Sequence, residues 1–285
     1  MTVIVTLDMY SGLPNPSWEL TDNEAKELTK MLSKNRAPSS AASPSSVGRL
    51  GYRGLIISSH NIDVVPNNMR VFDGVMEVES LEIPNYIDQD SDVETFLLGT
   101  AATSLRDDEL QYIQQEIQKN VSGGIANSLI DYELMAIPPF DPGKWNNNPT
   151  VLQKNNCYNY ANDKITNTFA QPGLGSGQVG PYPPSCSGTG DAAVRDKQIS
   201  IPSPDITPAE GHIIALVVST TPGFFDYHWY RRDSNNMWSH KPGSTRARNS
   251  DNSGRAISDP RSCDRGPYNN FCGFYNCIPS RTTIR

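Results

Sequence analysis

The chain has 285 residues, with 24 Lys and Arg against 31 Asp and Glu, a formal charge of −7. That length buries a sizeable core and holds one or two domains. An acidic balance with no basic run excludes nucleic acid or an anionic membrane as principal partner, and every apolar run is too short to span a bilayer.

Taken from the start, Val3, Val5, Leu7 and Met9 alternate with Thr6 and Asp8 as a first strand. A segment with no basic n-region and an aspartate at position 8 reads as that strand rather than as a secretory signal. Ser11 to Pro16 is a turn. Thr21-Asp22-Asn23-Glu24 is a capping-box pattern that opens a helix with Ala25, Leu28, Met31 and Leu32 on one face. Residues 34 to 48, rich in Ser, Ala and Pro, read as a flexible loop, and His60 between Ser59 and Asn61 as a loop residue. Strands are expected at Arg53 to Ser58, Met69 to Val78 and Thr95 to Leu98, and a helix at Asp107 to Lys119 with Leu110, Ile113 and Ile117 on one side. These make an N-terminal α+β domain of residues 1 to 136, whose role the sequence does not specify. Pro138 to Gly143 punctuates the chain, so residues 137 to 149 read as a linker.

The second half carries the residues that suggest chemistry. From Asn156, the residues Tyr160, Ala161, Ile165 and Phe169 recur at helical spacing, which predicts a helix with Cys157 at its N-terminus. Gln171 to Ile206, rich in Pro, Gly and Ser, is expected to be a long loop around a cleft. His212 to Val218 is an apolar run typical of a buried strand, its histidine structural. Tyr227 to Arg232 is a second strand; Asp233 to Asn236 reads as a turn, and Met237 to His240 returns antiparallel. His228 and His240 are then candidates for a cross-strand hydrogen bond. A thiol becomes a nucleophile when an imidazole takes its proton and a third polar group orients that imidazole. Cys157, His228 and His240 supply those residue types in that order.

Asn156-Cys157-Tyr158-Asn159-Tyr160-Ala161 resembles the Cys-x-x-Tyr-Ala helix start of the CHAP peptidases, and the run from His228 to His240 resembles the histidine block of the NlpC/P60 peptidases. The resemblance covers residues 145 to 245. The Asp-Cys-Ser-Gly signature of typical NlpC/P60 members is replaced by Asn-Cys-Tyr-Asn. It implies a papain-like domain at residues 150 to 262, with an antiparallel sheet and a cysteine-bearing helix. It implies further that Cys157 is the nucleophile, His228 the base and His240 the orienting residue of an amidohydrolase or peptidase acting on cell-wall peptides. Acyl transfer and glutamine deamidation are open to the same triad. Asn155, Tyr158, Trp229 and Trp238 are the candidate substrate-binding residues: Asn155, or Gln153 in its place, as an oxyanion donor, the Trp229 and Trp238 rings as stacking surfaces.

Cys263, Cys272 and Cys277 crowd a tail of residues 263 to 285. If Cys186 joins them, two disulfides form and Cys157 is the odd thiol; five reduced cysteines is the other reading. No Cys-x-x-Cys spacing appears, so neither a metal nor another cofactor is expected. A disulfide framework without an export leader points to export by a nonclassical route, with a reduced cytoplasmic state as the other option. The rival function is noncatalytic: a secreted structural or glycan- or protein-binding protein on a papain-like frame, presenting loops rich in Asn, Ser, Gly and Pro.

Overall fold

The computed structural model describes residues 2–34, 49–60, 68–78, 85–88, 91–101, 104–120, 137–205 and 208–285. Two compact units emerge: Met1–Met9, Asn15–Gly48 and Tyr52–Gly123 form one, while Tyr10–Pro14, Arg49–Gly51 and Gly124–Arg285 form the other. Both are mixed α and β with antiparallel sheets. The loop expected at 34 to 48 falls, except for its first residue, outside the described residues.

In the first unit, strands β1 (Thr2–Leu7), β2 (Ser17–Glu19), β3 (Leu55–His60), β4 (Asn68–Phe72), β5 (Val75–Val78) and β6 (Tyr86–Ile87) form one sheet in the order β2-β1-β3-β4-β5-β6. Every neighbouring pair is antiparallel. Alternation on β1 buries Val3, Val5 and Leu7 completely, and Leu55, Ile57 and Val71 continue the same core. The stretch expected as one strand from Met69 to Val78 is a hairpin. Asp73 and Gly74 take positive φ at 52° and 71°, the geometry a two-residue turn needs. His60 ends β3 rather than lying in a loop.

Helix α1 (Asp22–Lys34) starts on a formed capping box: Thr21 N–H donates to Glu24 Oε2 at 2.8 Å and Glu24 N–H to Thr21 Oγ1 at 3.3 Å. The strand expected at Thr95 to Leu98 is instead part of helix α2 (Asp92–Gly99). The buried Asp88 carboxylate accepts from the backbone N–H groups of Val93 and Glu94, and Val93, Leu97 and Leu98 face the core at helical spacing. A four-residue apolar run does not by itself separate strand from helix. Helix α3 (Asp107–Asn120) completes the unit.

The second unit contains helices α4 (Pro142–Asn146), α5 (Pro149–Lys154), α6 (Cys157–Ala161) and α7 (Cys186–Arg195), and strands β7 (Ile199–Ile201), β8 (His212–Thr221), β9 (Phe224–Arg232), β10 (Trp238–Ser239) and β11 (Asn270–Cys277). The sheet order is β10-β9-β8-β11-β7, with each adjacent pair antiparallel. The segment expected as a linker carries α4, whose Trp145 is fully buried against Tyr160. The segment expected as a tail supplies β11, which lies between β8 and β7. The stretch expected as one long loop after Gln171 contains α7, capped where Ser185 Oγ accepts from Gly188 N–H at 3.1 Å, and β7. Its end at Ile206 is outside the described residues.

The cysteine helix is far shorter than its periodicity suggests, ending at Ala161. Asn155 Oδ1 accepts from the N–H groups of Thr166 and Asn167, and Asn159 bonds the backbone of Lys164 and Ala170. These side chains draw residues 164 to 170 into a loop, which polar groups near a helix end do by competing for its backbone bonds. Asp163, Asn167 and Phe169 take positive φ there.

Candidate functional site

The geometry around Cys157 begins with its cap. Asn156 Oδ1 accepts from the backbone of Tyr158 at 3.0 Å and Asn159 at 3.1 Å, while Asn159 Oδ1 accepts from the Asn156 N–H at 3.1 Å. Cys157 is therefore the first residue of α6, but a five-residue helix contributes little dipole to favour a thiolate. Its side chain is completely buried with Tyr158, Ala161, Tyr227 and Trp229. Burial pushes the thiol pKa well above its ordinary value, and the nearby Asp226 carboxylate raises it further, outweighing the Trp229 N–H and Lys241. The group is a neutral thiol at physiological pH.

Strand β9 distributes its side chains alternately. Tyr227 and Trp229 pack in the Cys157 cluster, and the Arg231 guanidinium stacks over Tyr160 at 4.2 Å. Between them, His228 lies edge-on to Tyr230 at 4.8 Å and against Tyr268 at 5.6 Å. His240, just beyond β10, stacks on Tyr230 at 5.1 Å. His228 Nε2 and His240 Nδ1 are 2.8 Å apart, and His240 Nε2 is 3.0 Å from the Ser250 carbonyl oxygen. A carbonyl only accepts, so His240 Nε2 carries the proton, its Nδ1 is bare, and His228 Nε2–H donates to it. Burial lowers the His240 pKa to about 3, with Arg248 adding to the effect, so the ring is neutral.

The candidate substrate-binding residues serve the interior. Tyr158 and Trp229 pack together at 5.4 Å, and Tyr158 Oη donates to Asp196. Trp238 lies against Phe274 at 5.7 Å, and Asn155 organises the loop after α6. Asn155, Cys157, Tyr158, His228, Trp229, Trp238 and His240 are all at most 3% exposed. His212 Nε2 lies 2.7 Å from the Ala161 carbonyl at the end of α6, and burial lowers its pKa to about 4.

Two buried groups here were not singled out in the sequence. Lys241 Nζ donates to the carbonyl oxygens of Leu152 at 2.6 Å and Gly243 at 2.7 Å, and to that of Asn155, tying the end of α5 to the loop after β10. Asp226 is fully buried and accepts from Ser11 N–H at 2.6 Å, Leu13 N–H at 2.9 Å, Gly12 N–H and the Tyr268 hydroxyl. Its partners lie 213 or more residues before it or 42 after it, a spacing no local motif marks. One disulfide forms rather than two: Cys186 at the start of α7 joins Cys272 on β11, while Cys157, Cys263 and Cys277 are free thiols.

Among the described residues, no group of three or more His, Cys, Asp or Glu side chains is placed to hold a metal ion, and no helix is long and apolar enough to cross a membrane. No family profile matches the chain, and no solved structure does. The chain is similar to Insoluble matrix shell protein 1 of Ruditapes philippinarum, 48% identical over 141 residues, which are 49% of this chain and 90% of that protein. That relative, a shell matrix protein by name, overturns the expectation of a cysteine peptidase or amidase cleaving cell-wall peptides through Cys157, His228 and His240. The physics agrees with the correction, since a sealed neutral thiol is a poor nucleophile.

Proposed function

This chain belongs to the family of insoluble matrix shell protein 1, and we propose that it is a noncatalytic structural component of an insoluble extracellular matrix of the shell type. The observation that carries the reading is 48% identity across 90% of that relative. The Cys186–Cys272 bridge supports an oxidising, extracellular destination. A fully buried Cys157 and buried candidate substrate residues support a packing role for this region. A short cysteine-headed helix packed on β9, and on that strand a His228 hydrogen-bonded to His240, support a frame of NlpC/P60 or CHAP type turned to a structural use.

The test is retention. Purified oxidised chain is mixed with washed insoluble matrix from the shell of Ruditapes philippinarum, rinsed with concentrated salt, then extracted with guanidinium. The chain is expected to stay through the rinse and to leave in the denaturant, with Cys157→Ala behaving as wild type. Recovery of the folded chain in the first supernatant overturns the reading.

A further inference from the structure

Charge is divided unevenly between the two units. The first carries 8 Lys and Arg against 18 Asp and Glu, a formal charge of −10; the second carries 16 against 13, a formal charge of +3. Burial leaves the surface of the second unit more basic than that count. Among its described residues Asp196, Asp226, Asp233 and Asp251 are buried, against Arg231 and Lys241 among the cations. In the first unit, Arg53 and Arg70 are both held by Asp8.

Part of that basic surface follows one stretch of backbone. Lys241 Nζ ties the end of α5 to the loop after β10 through the carbonyl oxygens of Leu152 and Gly243, and Ser244 Oγ donates to the Gln153 carbonyl at 3.3 Å. The exposed Lys154 therefore lies beside the loop that leads to Arg246. His240 then bridges to Arg248 and Ser250 to Ala256, which folds the chain back on itself. Within that fold the Asp251 carboxylate faces inward, accepting from the backbone N–H groups of Ser253 at 3.0 Å, Arg255 at 2.9 Å and Asp264 at 3.0 Å. Arg246 and Arg255 stay exposed, and neither they nor Lys154 enters an ion pair among the described residues. The first unit presents the opposite sign: Glu19 at the end of β2, Asp22 at the start of α1 and Asp107 at the start of α3 are exposed and unpaired there.

We propose that the strip from Lys154 through Arg246 to Arg255 is a docking surface for the first unit of a second copy of this chain, so that copies join head to tail. Charge complementarity selects both the occupant and its orientation. Two acidic units repel one another, two basic strips do the same, and only unlike ends attract. Such a contact is heterologous: each docked pair still presents an acidic unit at one end and a basic strip at the other, so further copies add. Self-docking of this kind supplies a partner for the structural role proposed above without depending on it. Attraction between exposed charges is screened beyond about 8 Å at 0.15 M salt, so this contact weakens in the concentrated rinse that matrix retention survives, and the two results stand apart.

The experiment is sedimentation velocity on the full-length chain at about 20 mM and about 500 mM NaCl. At low salt the mean mass is expected to climb with protein concentration above that of one chain, and at high salt to fall back to it, with the apparent Kd weakened about tenfold or more. A chain carrying Lys154→Glu, Arg246→Glu and Arg255→Glu should stay monomeric alone at low salt. Added to wild type it should cap growth, because its acidic first unit is intact. A chain carrying Glu19→Lys, Asp22→Lys and Asp107→Lys should also stay monomeric alone, yet the two reversed chains mixed together should associate again. All six sites are exposed, and the capping result stands on the first variant by itself. A wild-type chain that is monomeric at low salt, association indifferent to salt, a reversed strip that neither loses self-association nor caps, or a mixture that does not recover association overturns the proposal.

Discussion

Two buried polar regions solve the same problem in opposite ways. In the first unit, Asp8 is fully buried and held by Arg53 Nη2 at 2.7 Å and Arg70 Nη1 at 2.6 Å. Burial alone would raise its pKa, but the two guanidiniums outweigh it and keep the carboxyl well below the usual carboxylate range. In the second unit, His240 is buried without charge, its Nδ1 accepting from His228 Nε2 and its Nε2 donating to the Ser250 carbonyl oxygen. The difference teaches that a buried charge is stabilised by its counter-charges and is costly to orphan. A neutral imidazole needs only hydrogen bonds, but acid threatens it.

The comparison breaks first at Asp8. Asp8→Ala leaves two guanidiniums beside a void and is expected to destabilise the first unit by about 3–5 kcal/mol, read as faster hydrogen exchange of the β1 and β3 amides. A loss under about 1 kcal/mol would mean that the cluster is not the charge anchor described. Next in size, His240→Phe removes the acceptor of His228 Nε2–H and should cost about 1–3 kcal/mol in the second unit at neutral pH.

That variant also sharpens the comparison through pH. The folded pKa of His240 is depressed from 6.5 to about 3, so its contribution is complete above 6.5 and is lost as pH falls toward 3. The gap between wild type and His240→Phe should therefore narrow on acidification. Asp8, also depressed, begins to lose its contribution only below its unfolded value of 3.8. A gap that stays constant between pH 7 and about pH 4 would argue for a charged imidazole.

The smallest effect concerns Glu94, which accepts from the Tyr52 hydroxyl at 2.6 Å. Burial raises its pKa from 4.5 to about 7, with Asp88 contributing in the same direction. Its folded form binds the proton more tightly, so it contributes stability at acid pH that is lost as pH rises through about 7. Glu94→Gln should gain about 1 kcal/mol at alkaline pH and nothing near pH 5, measured by denaturant titration.

Much of the fold was legible locally. Alternation marked β1, a continuous apolar run marked β8 and a β-prone aromatic run marked β9, the Thr21 to Glu24 pattern marked the start of α1, and the turn at Asp233 to Asn236 placed Trp238 and Ser239 opposite Arg232 and Arg231. The same reasoning put His228 and His240 side by side. It failed where a polar side chain outside the apolar pattern redirected the backbone: Asp88 turned 92 to 99 into a helix, and Asn155 and Asn159 ended the cysteine helix after Ala161. It also read residues 263 to 285 as a stapled tail, because β11 acquires its character only between β8 and β7.

By itself the sequence determined which segments alternate, where chain reversals fall and which residue types carry protons, since those depend on neighbours a few positions away. Only the tertiary structure decided what those groups do. Whether a thiol is a nucleophile or a sealed packing group depends on its burial, on a carboxylate 69 residues later and on the Gly12 carbonyl, which accepts from the Asn156 cap across 144 residues. Solvation and through-space charge are properties of the assembled fold, and they are what set the chemistry of Cys157.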